Sequence, residues 1–366
     1  MRHTLALVLL LGACSGGGGD DDEPTKTSDT DTDADTDSDT DTDTDVDADS
    51  DADTDTDTAS DSDTGETFVV PAVTGDPATV PLGGACELAN KYGTFVVEVY
   101  DGDGYSIVSG SALDGVVPIT NLENVGEDGE CVLLKRNNPF CDPTCQGGET
   151  CDFDGECIPY PEAQDLGVVT VGGLGDDVVM RPVEPGTQYF DTSISHPAFV
   201  EGDLVELRTH ENGAFGDIEM HGVGVAPLVL SNTEWTLIDG NDFVIQWTEA
   251  GTSPVRSEVF MRLTIDQHGT TPISMYCSFE DDGEGTVPAS LLSQLINSGV
   301  TGFPNAVITR RTIDSIDVPG DGCLEFVVAS PQQPDPSVDV DGFTPCTRDQ
   351  DCPKGQTCNI PFEICE

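Results

Sequence analysis

Thirteen cysteines carry most of the chemistry this chain can offer. A thiol can be a nucleophile, a metal ligand, a lipid carrier or half of a bridge, and its surroundings decide which. One stands near the N-terminus, Cys14. Four form a tight cluster, Cys141, Cys145, Cys151 and Cys157. Four more form a second, Cys346, Cys352, Cys358 and Cys365. Both clusters alternate cysteine with Gly, Pro and Asp and hold few apolar side chains, so they need cross-links in place of a core. Neither has the Cys-x2-Cys spacing of a zinc site. With Cys14 set aside, twelve cysteines read as six disulfides. The isolated four are expected to pair as Cys86–Cys131 and Cys277–Cys323. Each loop of about 46 residues would contribute roughly 4 kcal/mol in the chain-entropy model.

Carboxylates are the second resource. The expected Cys277–Cys323 bridge would bring together two acidic turns, Asp281, Asp282 and Glu284 with Asp317 and Asp321. Hard oxygen ligands from two loops suit Ca2+, although no cofactor is required. Asp101 and Asp103, each followed by Gly, match a hairpin turn or half of a calcium loop. His196, His210, His221 and His268 are scattered, and His210 and His221 could meet across adjacent strands. The chain has no nucleophile elbow, zinc-protease helix, P-loop or dinucleotide fingerprint. A non-catalytic role is therefore preferred. An enzyme would have to work through a carboxylate pair, which leaves no motif. Trp235 and Trp247 are expected in the core; the alternative is an exposed platform for a sugar ring.

The elements that must position these groups begin with an address. Met1-Arg2-His3 is positive, and Leu5 to Leu11 is apolar but too short to span a bilayer. Leu11-Gly12-Ala13-Cys14 then resembles the lipobox of bacterial lipoproteins. In that family a signal peptide, here residues 1–13, is cut before the cysteine, and the thiol carries a diacylglycerol. The resemblance implies lipidation of Cys14. Ser15 in place of Asp implies the outer membrane, surface-exposed or facing the periplasm.

Residues 14–66 read as a lipidated Cys and linker. From Asp29 to Asp57 every odd position is Asp. Such a tract cannot bury enough apolar surface to order itself, so a disordered tether is expected. Fully extended, about 50 residues reach roughly 170 Å. The tract opens like an EF-hand loop but lacks the Gly and Glu that loop needs. Residues 20–66 hold 22 acids and Lys26, while the part after residue 66 still carries 48 acids against 11 bases, within a total of −57. That field excludes nucleic acid as a partner, since phosphates need a basic footprint.

Beyond the tether the pattern is mainly β. Residues 67–140 are expected as a small β domain, with strands around Gly93–Tyr100, Tyr105–Val108 and Cys131–Leu134. Residues 141–164 form a cysteine-rich knot. Residues 165–332 read as an Ig-like β-sandwich, with many short strands divided by Gly, Pro and Asp. Strand candidates there are Gly167–Val171, Asp203–Thr209, Asp217–His221, Ala226–Leu230, Phe243–Trp247, Glu258–Ile265, Ile273–Phe279, Ala306–Arg311 and Cys323–Ala329. One helix is expected over Pro288–Gly299, apolar at Leu291, Leu292, Leu295 and Ile296. Residues 333–345 read as a linker and 346–366 as a second knot.

The second knot resembles the Dickkopf-type cysteine-rich motif through Asp351-Cys352-Pro353-x-Gly355-x-x-Cys358, and the first is similar to a short EGF-like knot. By analogy with such knots, pairing runs first to third and second to fourth. The arrangement as a whole resembles a group of outer-surface lipoproteins of myxobacteria and related deltaproteobacteria. They share the lipobox, the Asp/Thr-rich spacer, the Phe140–Cys151 element and a Cys-bearing strand before an acidic turn, Tyr276–Gly283. The resemblance implies location and build, and assigns no reaction. The expected role is a cell-surface lipoprotein, held in a lipid bilayer, that binds or adheres through a surface protein or glycan ligand. The alternatives are an exported glycosidase-like hydrolase and a structural envelope component without a dedicated ligand.

Overall fold

A computed structural model describes residues 68–211, 213–265 and 272–366. Cys14, the Asp/Thr tract and His268 lie outside the described residues.

The first strands are β1 (Lys91–Tyr100), β2 (Tyr105–Ala112), β3 (Glu123–Asp128) and β4 (Cys131–Lys135). The first knot holds β5 (Glu149–Cys151) and β6 (Cys157–Pro159). Then come β7 (Val168–Gly172), β8 (Val178–Met180), β9 (Tyr189–Asp191), β10 (Leu204–His210) and β11 (Glu219–Val223). β12 (Glu234–Leu237), β13 (Phe243–Gln246), β14 (Glu258–Thr264), β15 (Ile273–Glu280) and β16 (Glu284–Val287) follow. The helix α1 (Ala289–Asn297) precedes β17 (Asn305–Val318), β18 (Gly322–Pro331) and β19 (Ser337–Val340). β20 (Cys358–Asn359) and β21 (Ile364–Cys365) close the second knot.

One eleven-stranded sheet runs β3-β4-β15-β14-β17-β18-β1-β2-β9, with β19 on β17 and β12 on β19. Its pairs are antiparallel except β1–β18 and β12–β19. A four-stranded sheet runs β11-β10-β7-β8, and β13 pairs β16. The chain is thus mainly β, with sheets layered face to face. Strands from 67–140 and from 165–332 alternate in one sheet, so the two stretches expected as separate domains share their main element.

Side chains alternate across a strand, and directly paired residues share a face. β17 therefore sends Ala306, Ile308, Arg310, Thr312, Asp314 and Ile316 to the inner face. Ala306 and Ile308 enter one core, with Val259, Met261, Leu263, Met275 and Phe279 from the neighbouring strands. That core is closed by Trp235, Leu237 and Ile245, by Val338 and Val340, and by Leu291, Leu292, Leu295 and Ile296 of α1. Fully burying each such aliphatic contributes about 1.5–3 kcal/mol. Ile316 packs against a second core, in which Phe95, Val97, Leu324, Phe326 and Val328 meet Val169, Val171, Val205, Leu207 and Met220 of the four-stranded sheet. Gly222 makes this approach possible, because a Cβ there would collide with the Val328 side chain.

Several expectations change. Residues 333–345 are not a linker: Val338 and Val340 alternate with Ser337 and Asp339, and this period-two pattern places β19 in the core. Ala226–Leu230 forms no strand beyond a single bridge from Leu230 to Trp247. The strand expected to stop at Arg311 continues to Val318.

The pairing of the isolated cysteines is also corrected: Cys86 bonds Cys323 and Cys131 bonds Cys277. β14 and β17 separate β15 from β18. At about 4.8 Å per strand, Cys277 and Cys323 lie beyond the roughly 7 Å that a bridge spans. Cys131 instead stands directly opposite Cys277, with Cα atoms 4.1 Å apart. Residues 83–86 run along β17 and β18, where Gly83 N donates to Asp314 Oδ1 (2.5 Å) and Cys86 N to Glu325 Oε1 (2.9 Å). Within the knots the bonds are Cys141–Cys151, Cys145–Cys157, Cys346–Cys358 and Cys352–Cys365, first to third and second to fourth.

Candidate functional site

The outer face of the large sheet carries the alternate residues: Val132 and Leu134 of β4, Tyr276 and Ser278 of β15, Phe260 of β14, and Arg311 and Ile313 of β17. They floor an open groove of about 940 Å3. Registry sets the floor chemistry. Glu258 is opposite Arg311, and the pair closes at 2.7 Å. The Arg311 guanidinium lies 3.9 Å from the Phe260 ring centroid, a cation–π contact. Tyr276 stands 6.1 Å from Phe260, ring to ring.

The two walls differ in charge. On one side Lys91 pairs with Glu325, which also accepts the Cys86 amide, and the Cys86–Cys323 bond fixes this wall to the floor. On the other, the end of β3 and the turn into β4 present Glu127, Asp128 and Glu130. Asp128 is held by Ser290 Oγ at 2.6 Å and Glu130 by the Glu280 amide at 2.9 Å. An aromatic and aliphatic floor with a few placed charges can bind a planar or ring-bearing ligand. A smaller cavity of about 230 Å3 lies beside Arg256, whose guanidinium is spent on the Pro77 and Val80 carbonyls.

The residues expected to hold calcium are not assembled. Asp281 is fully buried and its oxygens are committed. Oδ1 accepts Trp247 Nε1 (2.8 Å) and Arg310 NH2 (2.9 Å). Oδ2 accepts Ser257 Oγ (2.5 Å) and lies 2.7 Å from Arg310 Nε. Asp282 and Glu284 stay on the turn after β15, where Asp282 accepts the Glu284 amide and Glu284 accepts Gln246 Nε2. Asp317 and Asp321 lie at the β17–β18 turn. Arg311 is paired with Glu258, and Glu258 with Glu280 on β15, so Asp317, six residues past Arg311, lies about 20 Å beyond the level of Glu280 along the strands. The proximity argument for a shared calcium site fails with the bridge it rested on.

Trp235 and Trp247 are 3% and 4% exposed, which removes the sugar-platform alternative for both. The Asp101–Gly104 segment is the β1–β2 turn, with the Asp103 and Gly104 amides bonded to the Tyr100 carbonyl. His210 and His221 do not meet: His210 Nε2 bonds Thr170 Oγ1, and His221 pairs in register with Glu206. His196 Nδ1 lies 3.0 Å from Ser106 Oγ, but Ser106 is 2% exposed and also accepts the Ala198 amide, so this serine is not presented to a substrate. Burial pushes the Glu98 and Asp335 carboxyls up. It also raises Tyr100, with further contributions from the charges of Glu98, Tyr105 and Asp335. Sequence reasoning missed the groove, because Phe260, Tyr276 and Arg311 come from three strands whose order it did not contain. Their shared outward parity was the available signal.

No family model and no curated protein matches this chain. Among solved structures, it is similar to the FN1-FN3 domains of chicken CNTN1 at 8% identity, with a TM-score of 0.16. That match covers 60% of this chain and 65% of the other, just under two thirds of its length. Domains 4 and 5 of the S-layer protein SbsC match at 13% identity with a TM-score of 0.12, over 59% of this chain and 99% of that one. TM-scores at this level carry no structural argument. Among the described residues, no helix is long and apolar enough to cross a membrane.

Proposed function

We propose that this chain is a lipid-anchored binding protein of the cell surface, held through Cys14 and engaging a glycan or protein ligand in the outer-face groove. The observation that supports binding over catalysis is the groove itself. Its floor offers Phe260, Tyr276 and Arg311, the last held from outside the groove by Glu258, and among the described residues no nucleophile and base are set against each other there. Aromatic faces and a charged pair recognise rings and polar substituents without needing chemistry. The Asp/Thr tract serves as the stalk in this reading, and the disulfides suit an oxidising exterior. The test is a glycan and peptide array probed with the full-length chain. Retained ligands should lose roughly 2- to 10-fold in retention with Tyr276→Ala, the range of one aromatic contact. Retention that ignores Tyr276→Ala would move the ligand off this groove.

A further inference from the structure

The outer face of the four-stranded sheet holds a cluster separate from the groove, in which Glu206 stands beside Glu219 and His221. Glu206 and His221 are paired across β10 and β11, and Arg208 is paired with Glu219. Arg208 braces the two carboxylates from outside. Its Nε contacts Glu206 Oε1, and its NH2 lies 3.2 Å from Glu219 Oε2. This leaves one oxygen on each carboxylate turned toward the imidazole. Glu206 Oε2 is 3.4 Å and Glu219 Oε1 is 3.7 Å from His221 Nε2. One ligand atom from each of the three residues lies within 4.8 Å of the others.

The independent observation is Glu206 itself. Its side chain is only 3% exposed, yet Oε2 has no hydrogen-bond partner. The neighbouring Gly172 lies against Val70 and Val73, which shield this part of the sheet. A buried carboxylate oxygen left without a donor is costly, and it is aimed at the imidazole nitrogen. Ligand atoms 2.0–2.2 Å from a tetrahedral ion are separated by about 3.3–3.6 Å, close to the two spacings seen here.

We propose that Glu206, Glu219 and His221 form a site for a divalent transition metal of the Zn2+ class. Two carboxylate oxygens and an imidazole nitrogen suit such an ion, whereas Ca2+ asks for six to eight oxygens. Arg208 acts as the outer brace that fixes which oxygen each carboxylate offers. Glu219 is half exposed, so a fourth position stays open to water.

The test is Zn2+ titration of the full-length, disulfide-intact chain against a competing chromophoric chelator, with Co2+ absorption as a second readout. One ion per chain should bind at this site. Glu219→Gln and His221→Ala should each weaken that site at least about ten-fold, the lower end of what even an outer-shell change costs. Glu219 is on the surface, so its variant reports on the metal even if His221→Ala perturbs folding. The Asp/Thr tract is unchanged in both variants. Unaltered Zn2+ affinity in Glu219→Gln, or the absence of a site saturating at one ion per chain, would overturn the proposal.

Discussion

At the residue scale, the determining feature is the inner row of β17, where Arg310, Thr312 and Asp314 interrupt an apolar series. They sit between the two cores, and each has work there. Thr312 Oγ1 accepts the Val223 amide and donates to its carbonyl, and Asp314 Oδ2 accepts the His221 amide. Together they satisfy the free edge of β11, which would otherwise bury unpaired backbone. Arg310, 1% exposed, spends its guanidinium on the carbonyls of Ala226, Pro227 and Thr248 and on Asp281. Removing one partner of a buried pair leaves the other charge uncompensated. Asp281→Ala should therefore cost about 3–5 kcal/mol in chemical denaturation. Trp247→Phe removes one hydrogen bond to the same carboxylate and should cost about 1.5–3 kcal/mol. A near-neutral Asp281→Ala would show that the aspartate is not the anchor of Arg310. Asp281 was visible in the sequence as one acid in an acidic turn. Its role was hidden because Arg310 lies 29 positions away and the two meet only through strand order.

At the element scale, the strand order explains the disulfides, and the disulfides test the strand order. Non-reducing peptide mapping should recover Cys86 linked to Cys323 and Cys131 linked to Cys277. A Cys86–Cys131 peptide would contradict the placement of β4 beside β15. Replacing Cys131 and Cys277 together by Ser should cost about 2–5 kcal/mol, since the bond closes a separation of 146 residues. Much of the element content was legible beforehand. The hairpin at Asp101–Gly104, the strand around Phe95 and the four-residue apolar face of α1 all follow from local pattern. The misreadings had three physical causes. β17 looked finished at Arg311 because polar residues needed at the seam break its alternation. β19 looked like a linker because four residues flanked by Pro and Asp give little signal until a partner strand is present. Pairing of isolated cysteines from the nearest in sequence failed for a third reason: in a sheet with crossovers, sequence proximity does not set spatial proximity.

At the scale of the whole molecule, the described residues hold two large cores and six disulfides. The anchoring reading assigns the part before residue 67 a separate duty, so the two can be separated by experiment. One acyl chain holds a protein to a bilayer only marginally, at about 0.8 kcal/mol per buried CH2, while two or more hold it stably. If the Cys14 thiol carries a diacylglycerol, Cys14→Ala should remove stable anchoring and send the chain to the soluble fraction. The same variant should keep its melting temperature and its affinity for an array-identified ligand, because among the described residues the groove is lined from Ala85 onward. The opposite result is equally readable. Retention of Cys14→Ala in the membrane fraction after a salt wash would assign membrane attachment to something other than the lipid. The salt wash matters because the charge after residue 66 is also strongly acidic, with 48 acids against 11 bases, and opposes adhesion to anionic headgroups. Residual attachment that survives high salt would then have to be apolar or protein-mediated.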